Sequence, residues 1–178
     1  QHLTSHVEVP LCEPNVSIAC GTSPEGHALS VAILLPSGPI DGPLPVLVDP
    51  YGGPHALRVI RSRRAHLSSP WFADQGFAVI VCDGRGTPGR GAQWERSVHG
   101  DLATRVLADQ VAALDIAAEH CENQLGCQLD LSRVAIRGWS FGGYLAALAV
   151  LREPRRFHVA VAGAPVTDWR WYDTHYTE

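Results

Sequence analysis

At 178 residues with a formal net charge of −4, the chain can bury one sizeable core and make one domain, and its charge gives no reason to expect nucleic acid or an anionic membrane as partner. Its apolar runs fall short of the ~18 residues that a membrane span needs, and no signal peptide is visible. The five cysteines (Cys12, Cys20, Cys82, Cys121 and Cys127) and the nine histidines match no metal motif, so no metal and no cofactor are expected and the thiols read as reduced and mostly structural.

Residues 1–14 lack periodicity and read as a connector to a single unit over 15–178. Apolar stretches at 16–19 and 29–35 flank the turn cluster Ser23-Pro24-Glu25-Gly26, a hairpin signal. Residues 36–45 are rich in Pro and Gly and read as a loop. A short apolar strand at 46–48 runs into Asp49-Pro50-Tyr51-Gly52-Gly53-Pro54. Arg58, Arg61, Arg63 and Arg64 form a basic cluster that reads as a solvated loop or an internal ion-pair site. Residues 69–75 suit a short helix stopped by Gly76. The continuous apolar run 77–82 suits a strand buried on both faces of a parallel sheet, and it ends in the loop Asp83-Gly84-Arg85-Gly86-Thr87. Asp101 can cap a long helix reaching about Glu122, with Leu107, Val111, Leu114 and Ala118 on one apolar face. Strands follow at 133–137 and 157–162. After the initial hairpin, strands and helices alternate with short connections, which predicts an α/β sandwich with a mostly parallel, doubly wound sheet.

Between the last two strands lies Gly138-Trp139-Ser140-Phe141-Gly142-Gly143-Tyr144, followed by a helix-like run to Leu151. A β-type stretch feeding Gly-x-Ser-x-Gly has the form of a nucleophile elbow, a sharp strand-to-helix turn that holds a serine hydroxyl at the rim of a sheet. Side chains two residues before and after the serine would collide with the neighbouring strand and helix, so glycine stands at both. The helix N-terminus beyond the turn supplies free N–H groups for a developing oxyanion.

Four further strings occur in order around the elbow: Asp49 to Pro54, Asp83-Gly84-Arg85-Gly86, Ala164-Pro165-Val166-Thr167-Asp168-Trp169, and Tyr172-Asp173-Thr174-His175-Tyr176-Thr177-Glu178. The series resembles the C-terminal hydrolase domain of the prolyl oligopeptidase family, and within it the dipeptidyl peptidase IV branch. The likeness runs from about Leu11 to the end. It implies an α/β-hydrolase fold, truncated after the strand that follows the elbow, in a serine peptidase that removes N-terminal dipeptides with Pro or Ala before the scissile bond. It also implies Ser140 as nucleophile, with the Tyr51 hydroxyl and the Phe141 backbone N–H as oxyanion donors. Val166, Trp169, Tyr172 and Tyr176 would line a small apolar pocket for the proline ring. A phenol stabilises an oxyanion without carrying charge, and an aromatic box suits a flat, rigid ring. Asp83 and Arg85 read as a structural salt bridge near the site. The partner implied is a peptide substrate, with an N-terminal β-propeller and homodimer formation in the parent.

The pattern departs from the family at one point. A serine hydroxyl needs a positioned base, and this fold orders its triad as Ser, acid, His. Asp168, Asp173, His158 and His175 do not match the family's catalytic positions, and His158 falls at the wrong end of its strand. The chain also has no methionine, so it reads as a piece of a longer protein, lacking the catalytic acid and histidine and silent by itself, with the cytoplasm as its expected compartment. An oligopeptidase or acylaminoacyl peptidase of the same family, and a non-catalytic module that keeps the elbow as scaffold, are the alternatives.

Overall fold

The structure is a computed structural model that describes residues 14–174. The hairpin forms where the turn cluster puts it. β1 (Val16–Thr22) and β2 (Ala28–Leu34) pair antiparallel from Val16↔Leu34 to Thr22↔Ala28. β3 (Leu44–Val48), β4 (Ala78–Asp83), β5 (Leu129–Trp139) and β6 (Val159–Gly163) complete one six-stranded sheet in the order β1-β2-β4-β3-β5-β6. β3 runs parallel to both β4 and β5, and β5 runs parallel to β6. β4 is buried along its whole length, as its apolar run requires. It differs from expectation in its second neighbour, because it pairs antiparallel with β2. The hairpin folds back onto the edge of the parallel core.

Alternation along the strands sends side chains to two cores. Val31, Ile33, Val46, Val48, Ile80, Val134 and Ile136 pack with α3 (Thr104–His120) and α4 (Phe141–Arg152). Ala32, Leu34, Leu47, Val79 and Val81 pack on the other face with Ala73 and Phe72 of α1 (Ser69–Asp74) and with Val59. Helices on both faces make the doubly wound α/β sandwich that the alternating pattern predicts. A short α2 (Ala92–Arg96) lies in the connection before α3.

Asp101 is not the N-cap expected of it: the N-cap is Ala103, without a side-chain cap, and Asp101 stands two residues earlier, where its Oδ1 accepts from the N–H groups of Ala103 and Thr104 at 3.0 and 2.7 Å and steadies the approach to the helix. These donors hold its carboxyl below the usual range. The helix ends at His120, short of Glu122, and passes into a wider turn at Cys121–Leu125. Its buried face is also rotated from the expected one. Leu107 and Leu114 are buried as predicted, but Val111 and Ala118 are only half-buried, while Asp109, Gln110, Ala113 and Ala117 are fully buried.

The salt bridge expected within the loop after β4 is made by Arg85 alone. Arg85 donates to Asp109 of α3 from its backbone N, Nε and Nη2 at 2.6, 3.1 and 2.8 Å, and to Glu25 at 2.6 Å. Asp83 takes no part. Its Oδ2 accepts the backbone N–H groups of Arg58 and Val59 at 2.8 and 2.6 Å. In the arginine cluster Arg58 is an internal ion pair with Asp49, whereas Arg61 and Arg64 are exposed.

Candidate active site

The elbow forms as the glycine spacing demands. Ser140 sits between β5 and α4 with φ 57° and ψ −119°, a left-handed conformation that a non-glycine residue adopts at a cost of roughly 1–3 kcal/mol. Its N–H donates to the Gly163 carbonyl of β6 at 3.0 Å and its carbonyl accepts from Tyr144 at 2.9 Å, so the turn is held from both sides. A Cβ on Gly138 would overlap the backbone of Gly142, and one on Gly142 would lie 2.6 Å from the Pro50 carbonyl oxygen. Phe141 is the first residue of α4, where a backbone N–H has no acceptor within the helix.

The same turn gathers aromatic side chains. The Phe141 ring, 2% exposed, lies 6.1 Å from Tyr51, 5.7 Å from Tyr144 and 5.9 Å from Trp169. Trp169 in turn stands 5.5 Å from Tyr144 and 6.0 Å from Tyr172. Tyr51 is brought there by the loop after β3, and Trp169 by a single 3-10 turn, Trp169–Trp171. Of the residues singled out in the sequence, Tyr51, Phe141, Trp169 and Tyr172 thus join one cluster beside Ser140. Val166 is half-buried on the segment leading to the 3-10 turn. Tyr176 lies outside the described residues. Tyr144 was missed as a member of the cluster; its signal was an aromatic residue one helical turn beyond Phe141.

Of the acid and base candidates, Asp168 and His158 are each engaged by another group. The Asp168 carboxylate accepts from the Arg170 backbone N–H at 3.1 Å and from its guanidinium at 2.9 Å, and that partner holds its pKa down. The His158 Nδ1 accepts the Val134 N–H at 3.2 Å. The ladder from Ala135↔Val159 to Trp139↔Gly163 then puts His158 at the opposite end of the sheet from Ser140, roughly 20 Å away at ~3.3 Å per strand residue. His120 bonds Ser17 and His66 bonds the Ile60 carbonyl. Asp173 is exposed, and His175 lies outside the described residues. No group of three or more His, Cys, Asp or Glu among the described residues is placed to hold a metal ion, and no helix there is long and apolar enough to cross a membrane. A depression of about 440 Å³ lined by Gly42, Glu122 and Cys127 opens near the start of β3 and β5, at the other end of the sheet from Ser140.

Comparison with known proteins follows the same residues. Residues 64–178 match the model of the prolyl oligopeptidase family. Dipeptidyl peptidase 8 of Homo sapiens is 37% identical over 136 residues, covering 75% of this chain and 15% of that protein. Dipeptidyl peptidase family member 1 of Caenorhabditis elegans is 32% identical over 136 residues, covering 76% of this chain and 16% of that protein. The chain therefore spans about a sixth of the length of these curated relatives. Among solved structures, Porphyromonas gingivalis dipeptidyl peptidase 4 superposes with a TM-score of 0.77 at 31% identity, over 93% of this chain and 23% of that one.

Proposed function

The chain belongs to the prolyl oligopeptidase family, and from that premise we propose that it forms the nucleophile half of a serine exopeptidase that removes N-terminal dipeptides. Ser140 Oγ, its proton taken by a general base, attacks the scissile carbonyl; the C–N bond breaks, the shortened peptide leaves as an amine carrying that proton, and the dipeptide stays as an ester on Ser140 until water hydrolyses it, releasing the dipeptide and restoring the hydroxyl. The Tyr51 phenol and the Phe141 N–H stabilise the oxyanion of each tetrahedral intermediate, the role in which preorganised donors contribute most. Trp169, Tyr172 and Val166 form the apolar wall that favours Pro or Ala before the bond that is cut, and the family resemblance adds Tyr176, which lies outside the described residues. The observation that carries this reading is the strained Ser140 turn set against the Tyr51 loop and the aromatic cluster on Phe141.

The general base and its orienting acid are proposed to come from sequence outside this chain. His158 and Asp168 are engaged with other partners, at 3.2 Å from Val134 and 2.9 Å from Arg170. The chain alone is therefore expected not to turn over. A β-propeller carrying carboxylates for the substrate's free amino group, and a homodimer, are part of the same proposal and rest on the family resemblance.

The test uses the full-length protein that carries this sequence. A fluorophosphonate should label Ser140, and Gly-Pro and Ala-Pro chromogenic substrates should be cleaved while their N-acylated counterparts are not. Labelling without the free-amine preference would favour an oligopeptidase or acylaminoacyl peptidase. No labelling would leave the elbow as scaffold.

A further inference from the structure

The segment from Asp49 to Ser62 contains no helix or strand, yet it carries Tyr51, whose phenol must be held still to act as an oxyanion donor. The part of it that carries Tyr51, from Asp49 to Arg58, is closed by one carboxylate. Asp49, 4% exposed, follows the last residue of β3, and its N–H donates to the Ile80 carbonyl of β4 at 2.8 Å. Its Oδ2 accepts from Arg58 Nη2 at 3.1 Å, and Arg58 Nη1 donates to the Asp49 carbonyl oxygen. Arg58 thus grips both the side chain and the main chain of Asp49, which closes the loop at its base. The Arg58 backbone N–H is fixed in turn by Asp83 at 2.8 Å.

The other carboxylate oxygen faces the nucleophile strand. Asp49 Oδ1 lies 3.4 Å from Arg137 Nε. Arg137 is on β5 three residues before Ser140, in a parallel ladder where Val48 faces Ile136. Its guanidinium rests 4.4 Å from the centre of the Phe72 ring, which steadies the outer side of the pair. Two guanidinium groups therefore share one buried carboxylate. One contact closes the Tyr51 loop, and the other joins that loop to the strand that carries Ser140.

We propose that Asp49 is a positioning residue for the oxyanion site, holding the Tyr51 phenol in register with Ser140 through Arg58 and Arg137; this rests on the reading of Tyr51 given above. A buried ion pair is a weak source of net stability but sets geometry closely when both oxygens are engaged. A displacement of about 1 Å at a reacting group can reduce turnover by ~10²-fold.

The experiment is a double-mutant cycle in the full-length protein, with dipeptide chromogenic substrates. Tyr51→Phe is expected to lower kcat by about 10²-fold. Asp49→Asn, which keeps an acceptor but loses the charge, is expected to lower kcat by roughly 10–10²-fold with KM within about twofold, because the lost interaction is realised in the transition state. Asp49→Asn/Tyr51→Phe should be no slower than Tyr51→Phe alone, since Asp49 acts through the phenol. Effects that multiply, or an unchanged kcat in Asp49→Asn, overturn the proposal while leaving Tyr51 in its role. An unchanged kcat in Tyr51→Phe overturns the reading of Tyr51, and this inference with it. If Asp49→Asn does not fold, Arg137→Gln, which spares the Arg58 contact, replaces it in the cycle. Its smaller loss in kcat must vanish in the Tyr51→Phe background, and persistence there overturns the proposal.

Discussion

Gly142 and Pro50 meet where the nucleophile helix touches the loop that carries Tyr51. The Pro50 carbonyl oxygen lies 2.6 Å from the point where a Cβ on Gly142 would stand, closer than carbon and oxygen can pack. The second glycine of the elbow therefore lets the neighbouring loop seat against the helix N-terminus, while the turn itself is cleared by the first, Gly138, whose Cβ would overlap the Gly142 backbone.

Gly142→Ala should force that loop outward. The expected effect is overpacking of about 1–3 kcal/mol in stability. Because the displaced segment carries Tyr51, kcat in the full-length protein should also fall by about 10²-fold. Urea midpoints and steady-state kinetics on one preparation check both. A destabilised variant with unchanged kcat would show that the loop is not part of the site.

The elbow and the hairpin were legible in the sequence because their signals are local. The turn cluster Ser23 to Gly26 fixes the β1–β2 register, and the glycines around Ser140 fix a strand-to-helix turn. Strand order was not legible. Nothing in the run 77–82 says that β4 lies between β2 and β3, so its antiparallel neighbour went unseen. The Asp49–Arg137 pair was hidden for the same reason, since it exists because β3 and β5 are neighbours. The buried face of α3 was misjudged because Asp109 and Gln110, both 0% exposed, are polar residues that an apolar periodicity leaves out. Asp109 is compensated by Arg85, from a loop that follows a different strand.

That compensation makes Asp109 a sensitive position. Its carboxylate receives three N–H groups of Arg85, from the backbone N at 2.6 Å and from Nε and Nη2 at 3.1 and 2.8 Å. Removing one partner of a buried pair leaves the other charge uncompensated, at a cost of roughly 3–5 kcal/mol. Asp109→Ala should lower stability by about that amount, and Asp109→Asn, which keeps one acceptor, by less. Equal and small losses in urea midpoint would mean that Glu25 alone satisfies Arg85.

Two buried groups beneath the Tyr51 loop should give opposing pH responses. Burial is the main cause that pushes the His66 pKa down; Arg58 adds to it, and the Ile60 carbonyl and Asp83 oppose it. Burial likewise pushes the Asp83 carboxyl up, against the N–H groups of Val59 and Arg58. For His66 the unfolded chain takes a proton first, so stability is full above about pH 6.5 and is lost as pH falls toward the folded value. For Asp83 the folded chain takes the proton first, so stability is gained as pH falls through its folded value. Between pH 7 and 5, His66→Gln should therefore lose less stability than the wild type; as pH falls on toward the ordinary carboxylate value of about 4, Asp83→Asn should lose more. Parallel urea midpoints from pH 7 down to about 4 in all three proteins would remove both groups from the pH response.

The backbone of Ser140 supplies a test that does not depend on any substrate. At φ 57° and ψ −119° it occupies the region of the first central residue of a type II′ turn, which glycine favours. Elsewhere glycine is the poorer choice, by roughly 0.5–1 kcal/mol against alanine in a helix or strand. Here the order should reverse, because alanine keeps the Cβ that strains the turn and glycine does not. Ser140→Gly should be more stable than Ser140→Ala by about 1 kcal/mol, given a strain of roughly 1–3 kcal/mol at such a conformation less the entropy of the freer chain. Both variants remove the hydroxyl, so both should lose fluorophosphonate labelling and turnover in the full-length protein, with kcat reduced by about 10⁶-fold. Equal losses of activity with reversed stabilities would tie the strain to the backbone and the chemistry to the hydroxyl. If Ser140→Ala is instead the more stable of the two, the serine is not held under strain, and the elbow is not a device for presenting a nucleophile.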